Sequence, residues 1–221
     1  TVETGAFDRG DNEIYEKRIA NGGCSSQRGL WHGDVMCPQQ IKLLAVGLLF
    51  GYSRGHHAFD WGAGCGHMMH WLQRGWDMHV SGSEYTQGGV KFIAEQTNPV
   101  TICSGDGTTL PHIPDETVDH ITTNAAIHHL SSDRQCKLVS EEFMRILKPG
   151  GTVFVGWQPT LEVKTDLNGE MDQLFVEGWK QCLEKAGDRL LFVVVVEKEF
   201  FGITEYGREQ SYAVLVVKNL K

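Results

Sequence analysis

Long apolar runs, paired cysteines, blocks of like charge and internal repeats are all missing from this 221-residue chain. Each absence removes a class of protein. The longest apolar stretches are Leu43 to Tyr52, interrupted by Gly47 and Gly51, and Leu190 to Val196. Both fall well short of the ~20 residues a membrane helix needs. The six cysteines, Cys24, Cys37, Cys65, Cys103, Cys136 and Cys182, stand at least 13 positions apart with no CxxC pair, so no stapled secreted scaffold is expected. They read as reduced thiols in a cytosol-like compartment, and a cytoplasmic location is the expectation. No charged-then-apolar leader is visible, although a start at Thr1 without Met is compatible with a trimmed targeting segment. Basic charge is scarce too: 20 Lys and Arg against 28 Asp and Glu give a net charge of −8. Attraction to a phosphate backbone is therefore weak, and nucleic acid is a disfavoured partner. What is present, 41% hydrophobic and 10% aromatic residues, suffices for a packed core. The length suits one domain, with residues 1–52 as a helical extension and 53–221 as the core.

In the extension, Ile14, Tyr15 and Ile19 fall on one side of a helix-like piece from Asp11 to Ala20 that Asn21-Gly22-Gly23 ends. Pro38 suits a first helical position, and Ile41, Leu44, Ala45, Leu48 and Leu49 recur at helical spacing up to Gly51. From residue 57 short strands alternate with helix-length segments. Strands are expected at residues 57–60, 77–83, 100–104, 118–123 and 152–157, and helices at 66–74, 87–96, 132–147 and 169–186. Such alternation specifies a parallel sheet with helices on both faces, because parallel neighbours need crossovers. The chain closes differently. Leu191 to Glu199 and Ser211 to Lys218 are β-rich runs whose short connection cannot hold a crossover helix, so an antiparallel hairpin is expected.

Asp60-Trp61-Gly62-Ala63-Gly64-Cys65-Gly66 follows the first strand and opens a helix, the setting in which a glycine-rich turn can cradle a nucleotide-like ligand. A dinucleotide fingerprint G-x-G-x-x-G would place its third glycine at His67, which argues against a nicotinamide oxidoreductase. Glu84 ends the second strand, where a carboxylate can accept from both hydroxyls of a ribose. Asp106, within Ser104-Gly105-Asp106-Gly107, can accept from an exocyclic amine while the Gly107 N–H faces a ring nitrogen. Either acid alone reads better as a solvated loop carboxylate than as a ligand contact. Their coincidence with the turn favours a site.

These segments, together with Ala125-Ala126-Ile127-His128-His129-Leu130 and Arg145-Ile146-Leu147-Lys148-Pro149-Gly150-Gly151, resemble class I S-adenosylmethionine-dependent methyltransferases, most of all the type 11 methyltransferase domain. The resemblance covers about 100 residues, from Ala58 to Trp157. It implies a single Rossmann-like α/β domain with a seven-stranded mixed sheet of order 3-2-1-4-5-7-6, the last strand antiparallel. It also implies S-adenosyl-L-methionine as cofactor and S-adenosyl-L-homocysteine as product. Carried over by position, Asp60, Gly62, Ala63, Gly64 and Gly66 surround the methionine moiety. Glu84 takes the ribose, Asp106 and Gly107 the adenine, and Tyr85 the adenine face, while Asn124 ends the fourth strand where the family offers backbone carbonyls, rather than this side chain, to the amino group. Tyr85 reads otherwise as an ordinary half-buried aromatic, and Lys148 to Gly151 as a turn before the fifth strand.

Methyl transfer from a sulfonium is mostly a matter of alignment. A base matters only if the acceptor begins protonated, and His128 and His129 are then the candidates. Trp157 is a candidate wall of the acceptor site or a core tryptophan. Tyr15, Trp31 and His32 belong to an extension that relatives use as a lid. His67 and His70 lie three apart on a helix but lack a third ligand, so no metal is expected. The expected acceptor is a small molecule or a peptide-like nucleophile. A tRNA or protein methyltransferase, and a noncatalytic cofactor-binding subunit of a partner enzyme, are the alternatives.

Overall fold

The computed structural model describes residues 16–17, 24, 47–96, 100–105, 107–124, 126–159, 178–187, 190–196 and 211–218. The strands are β1 (His57–Trp61), β2 (His79–Glu84), β3 (Thr101–Ser104), β4 (Val118–Asn124), β5 (Leu147–Pro159), β6 (Leu190–Val196) and β7 (Ser211–Lys218). They form one sheet of order β3-β2-β1-β4-β5-β7-β6. The first five run parallel, and β7 is antiparallel to both β5 and β6. This is the sheet order and the terminal hairpin anticipated from the sequence. Among the described residues, no helix is long and apolar enough to cross a membrane.

Alternation along β1 decides the layers. Ala58 points to the face covered by α1 (His67–Trp76) and α2 (Gln87–Gln96), where it packs with Met68, Met69, Leu72, Val80, Ile93 and Phe154. Phe59 and Trp61 point to the other face, against Ile121, Ile127, Phe143, Val153, Trp179 and Leu183. Tyr52 is buried in the first cluster, so core packing begins before residue 53.

Three expectations need correction. The helix expected over 132–147 is continuous from Ser132 to Ile146 but not regular: α3 (Ser132–Lys137) passes through a π-helical turn (Leu138–Phe143) into α4 (Met144–Ile146). Lys148 to Gly151 is not a separate turn but an irregular start to β5. There the register with β4 shifts between Val118 and His120, Gly150 takes φ +77°, and Lys148 bonds both oxygens of Asp119. Turn-forming residues inside a strand mark such bulges.

The third correction concerns sulfur. Cys24 is joined to Cys65 and Cys136 to Cys182, with Cα atoms 5.5 and 5.4 Å apart. The pairs are separated by 41 and 46 positions, so spacing along the chain hid a proximity that only the fold creates. The expectation of a cytosol-like compartment rested on unpaired cysteines, and that basis falls. Of the described cysteines, Cys103 is free.

Arg145 ties the long β3–β4 connection to the π-helical turn. Its guanidinium donates to the carbonyls of Leu110 and Ile113 at 2.8 and 2.9 Å and to Asp115 and Glu142. Glu142 in turn accepts from the Leu110 N–H at 2.8 Å, and the Arg145 guanidinium, helped by that N–H, holds its carboxyl below the usual range. Replacing Arg145 with alanine leaves two carbonyls and Glu142 without their donor. A loss of about 2 kcal/mol is expected in urea denaturation, with an unchanged slope.

Candidate functional site

The parallel strands end together at one edge. Register places Trp61 beside Ser83, Glu84 beside Ser104, and Asn124 beside Gly156, so β1 to β5 present their C-terminal tips side by side. Open α/β sheets bind ligands at this edge.

The glycine turn leaves β1 with Gly62, Gly64 and Gly66 at φ +68°, +59° and +78°, a region that side chains with a Cβ seldom adopt. Gly62 has a second reason to be glycine, because a Cβ there would collide with that of Ala126. Among the described residues, a Cβ at Gly64 would meet nothing within 4 Å. Against those residues the tip of the turn faces open space. Gly66 serves as the left-handed N-cap of α1.

Glu84 holds this turn. Its carboxylate accepts from the Gly64 N–H at 2.6 Å, the Thr86 N–H at 2.9 Å and the Thr86 hydroxyl at 2.7 Å. Glu84 is only 7% exposed, and burial pushes its pKa up against these three bonds. A carboxylate offers about four lone-pair positions, so the chain itself uses most of them and leaves room for about one further bond rather than two. Thr86 went unnoticed in the sequence. It stands immediately before α2 and accepts from the Gly89 N–H at 3.3 Å, so the residue preceding a helix was its available signal. Gly89 lets α2 approach closely, since a Cβ there would lie 2.7 Å from the Gly64 carbonyl oxygen.

Asp60 is 2% exposed. One oxygen accepts from the Thr122 hydroxyl at 2.9 Å, as the Asp60–Thr122 register dictates. The other is buried without a partner among the described residues. Burial, helped by the nearby Glu84 charge, raises the carboxyl to about 7. Asn124 likewise has a buried side-chain oxygen with no partner, lying over Gly156, where a Cβ would sit 2.5 Å from it. Two unsatisfied acceptors at a strand edge are what a ligand with N–H groups or positive charge would complete.

Gly107 is fixed by Trp61, whose indole N–H donates to its carbonyl at 2.8 Å, and takes φ +63°. Tyr85 lies half-buried between β2 and α2, and Ala63 donates from its N–H to the Ser83 carbonyl at 3.0 Å. His129 is buried in a single 3-10 turn, Ile127–His129, after β4. The structure thus brings Asp60, Gly62, Ala63, Gly64, Gly66, Glu84, Tyr85, Gly107, Asn124 and His129 to one edge. Asp106, Tyr15, Trp31 and His32 lie outside the described residues, as do the side chains of His128 and Trp157. Among the described residues, no three His, Cys, Asp or Glu side chains group as a metal site. Burial and the neighbouring His70 depress His67 to about 4.

Two residues of the N-terminal segment also reach this edge. Glu16 accepts from the Gln87 N–H, at the start of α2, at 2.8 Å, and Cys24 is bonded to Cys65 inside the glycine turn.

Residues 59–155 match the family model of a methyltransferase domain. A search of curated protein sequences found no match. Among solved structures, a protein described as a candidate S-adenosyl-L-methionine-dependent methyltransferase from Methanococcus maripaludis superposes with a TM-score of 0.66 at 16% identity, over 92% of this chain and 93% of that one. A phosphoethanolamine N-methyltransferase from Haemonchus contortus, solved with phosphomonomethylethanolamine and S-adenosylhomocysteine, gives 0.64 at 13% identity, over 94% of this chain and 59% of that one. The [4+2]-cyclase SpnF gives 0.63 at 17% identity, over 94% of each chain. At these identities the likeness is one of fold.

Proposed function

We propose that this chain, which has the class I S-adenosylmethionine-dependent methyltransferase fold and a methyltransferase-domain match over residues 59–155, transfers a methyl group to a small-molecule or peptide-like nucleophile. The observation that carries the reading is the glycine turn. It faces open space at Gly64, is pinned by Glu84, and stands beside the unpartnered oxygen of Asp60.

The residues fit an adenosyl sulfonium by shape and by charge. Glu84 has room for a ribose hydroxyl, and Gly107 with Asp106 suits the adenine, with Tyr85 against its face. Asp60 and Asn124 supply acceptors to the cationic amino acid end. When bound, the cofactor supplies a methyl on a positively charged sulfur, which needs little covalent help. What the protein contributes is alignment and exclusion of water. A base is required only for an acceptor that begins protonated. His129, with His128 before it, is the group that the β4 edge offers for that proton. The N-terminal residues Tyr15, Trp31 and His32, with Trp157 after β5, are the candidates to shape the acceptor site.

A macromolecular RNA acceptor is disfavoured by the net charge of −8. The shared fold of a cyclase makes turnover a separate question from binding, since fold does not fix reaction. The test is therefore in two parts. Calorimetric titration with S-adenosylhomocysteine is expected to show one site. Incubation with methyl-labelled S-adenosylmethionine and fractionated metabolites is expected to label a low-molecular-weight product. No binding of S-adenosylhomocysteine would overturn the reading. Binding without any labelled product or released S-adenosylhomocysteine would leave a noncatalytic cofactor-binding subunit.

A further inference from the structure

We propose that Cys24 and Cys65 form a redox site built into the glycine turn, whose dithiol or disulfide state sets how firmly the turn holds an adenosyl ligand. The inference rests on the reading of that turn as a cofactor cradle.

Cys65 sits between Gly64 and Gly66, both at positive φ, in the most conformationally free stretch of the site. The Ala63 N–H on the Ser83 carbonyl at 3.0 Å and the Gly66 N–H on the Ala63 carbonyl at 2.8 Å hold the base of the turn, and two tethers restrain its tip. From the β2 side, the Glu84 carboxylate holds the Gly64 N–H at 2.6 Å. From the N-terminal side, the bond from Cys24 holds Cys65 itself. Glu16, eight positions before Cys24, accepts from the Gln87 N–H at the start of α2, so two described N-terminal residues bond to this edge. Breaking the Cys24–Cys65 bond removes one of the two tethers and multiplies the conformations open to the turn.

The two disulfides differ in reach. Cys136 and Cys182 are each 8% exposed within the core cluster that holds Phe59 and Trp61, and their bond includes no residue of the glycine turn. In the other pair Cys24 is 2% exposed, but Cys65 is half-buried, so an incoming thiolate meets Cys65 Sγ first. Attack there by one thiolate of a dithiol breaks the Cys24–Cys65 bond, and Cys24 leaves as a thiolate that takes up a proton. The second thiol of the reductant then displaces Cys65 from the mixed disulfide. Two electrons and two protons pass to the protein, and the reductant departs as a cyclic disulfide.

The test uses the full chain, oxidised or treated with dithiothreitol, with each cysteine's state read by alkylation and mass spectrometry. Two quantities are measured: the dissociation constant for S-adenosylhomocysteine and amide hydrogen exchange over residues 61–66. Reduction of the Cys24–Cys65 pair is expected to raise the dissociation constant about 10-fold, the equivalent of newly ordering about one residue's backbone on binding, and to speed exchange across the turn. Cys24→Ser should match the reduced protein in both conditions. A Cys136→Ser/Cys182→Ser variant should keep the redox response. Binding and exchange that do not change on reduction would overturn the proposal and leave the cofactor reading intact, as would a response that follows Cys136 and Cys182. Absence of S-adenosylhomocysteine binding in both states would remove the cofactor reading and this proposal together.

Discussion

Glu84→Ala is expected to weaken S-adenosylhomocysteine binding at least about 100-fold, equivalent to about 2.7 kcal/mol. The carboxylate joins the ends of β1 and β2 by accepting from Gly64, Thr86 N–H and the Thr86 hydroxyl. Alanine leaves these donors unpaired beside a turn that then samples many conformations. Ordering two or three residues on binding costs about 1–2 kcal/mol each, which already reaches the expected figure before any direct contact with ligand is counted. Glu84→Gln separates the two contributions. It preserves shape and one acceptor oxygen but turns an NH2 group toward a donor, so an intermediate loss of about 10-fold is expected. Equal affinities for wild type and Glu84→Ala in calorimetric titration would remove Glu84 from the site.

Asp60→Asn should stabilise the ligand-free protein at pH 7.5 and cease to do so by pH 5. The folded carboxyl is raised to about 7 from 3.8, so the native state binds its proton more tightly than the unfolded chain. The stability this gives is full below the unfolded pKa and is lost as pH rises toward 7, a change on the order of 4 kcal/mol. The unpaired Nδ2 of asparagine costs about 2 kcal/mol, leaving a net gain of about 2 kcal/mol at pH 7.5 and about none at pH 5.

His120 has the opposite sign. It is buried between His56, at 2.9 Å, and the Thr152 hydroxyl, at 2.8 Å, with Asp119 and Lys148 nearby, and burial lowers it to about 4. Its contribution is present above pH 6.5 and lost as pH falls toward 4, about 3 kcal/mol. His67 behaves in the same way. Asp60 therefore masks part of the acid sensitivity of the histidines, and Asp60→Asn should show a steeper acid decline than wild type. Urea denaturation across pH 5 to 7.5 reads both effects. A difference between variant and wild type that does not vary with pH would contradict the raised carboxyl.

The sheet was legible because its determinants are local. Strand-turn-helix alternation from residue 57, the glycines at 62, 64 and 66, and a terminal hairpin too tight for a crossover point to a parallel sheet closed by an antiparallel pair, while the strand order came from the family resemblance. The placement of Glu84 and Asn124 at strand ends was legible for the same reason. What escaped was set by partners distant in sequence. The Cys24–Cys65 and Cys136–Cys182 pairs arise only when the chain folds back across 41 and 46 positions. The π-helical turn at Leu138–Phe143 answers to the packing of Leu138, Val139 and Phe143 in the core and to the Arg145–Glu142 bridge, not to propensity. The bulge at Lys148 to Gly151 was read as a turn because the same residues serve both. Thr86 was passed over since its role depends on where Glu84 points.

The position of β7 between β5 and β6 has a consequence for biosynthesis. On a ribosome, Leu190–Val196 emerges before Ser211–Lys218, and the only described strand it pairs with is that later one. Until Ser211–Lys218 is translated, the nascent chain carries a run of Leu, Leu, Phe and four Val without its described backbone partner, the kind of edge that draws in chaperones or neighbouring chains. Completion of the sheet is thereby postponed until that later strand has emerged.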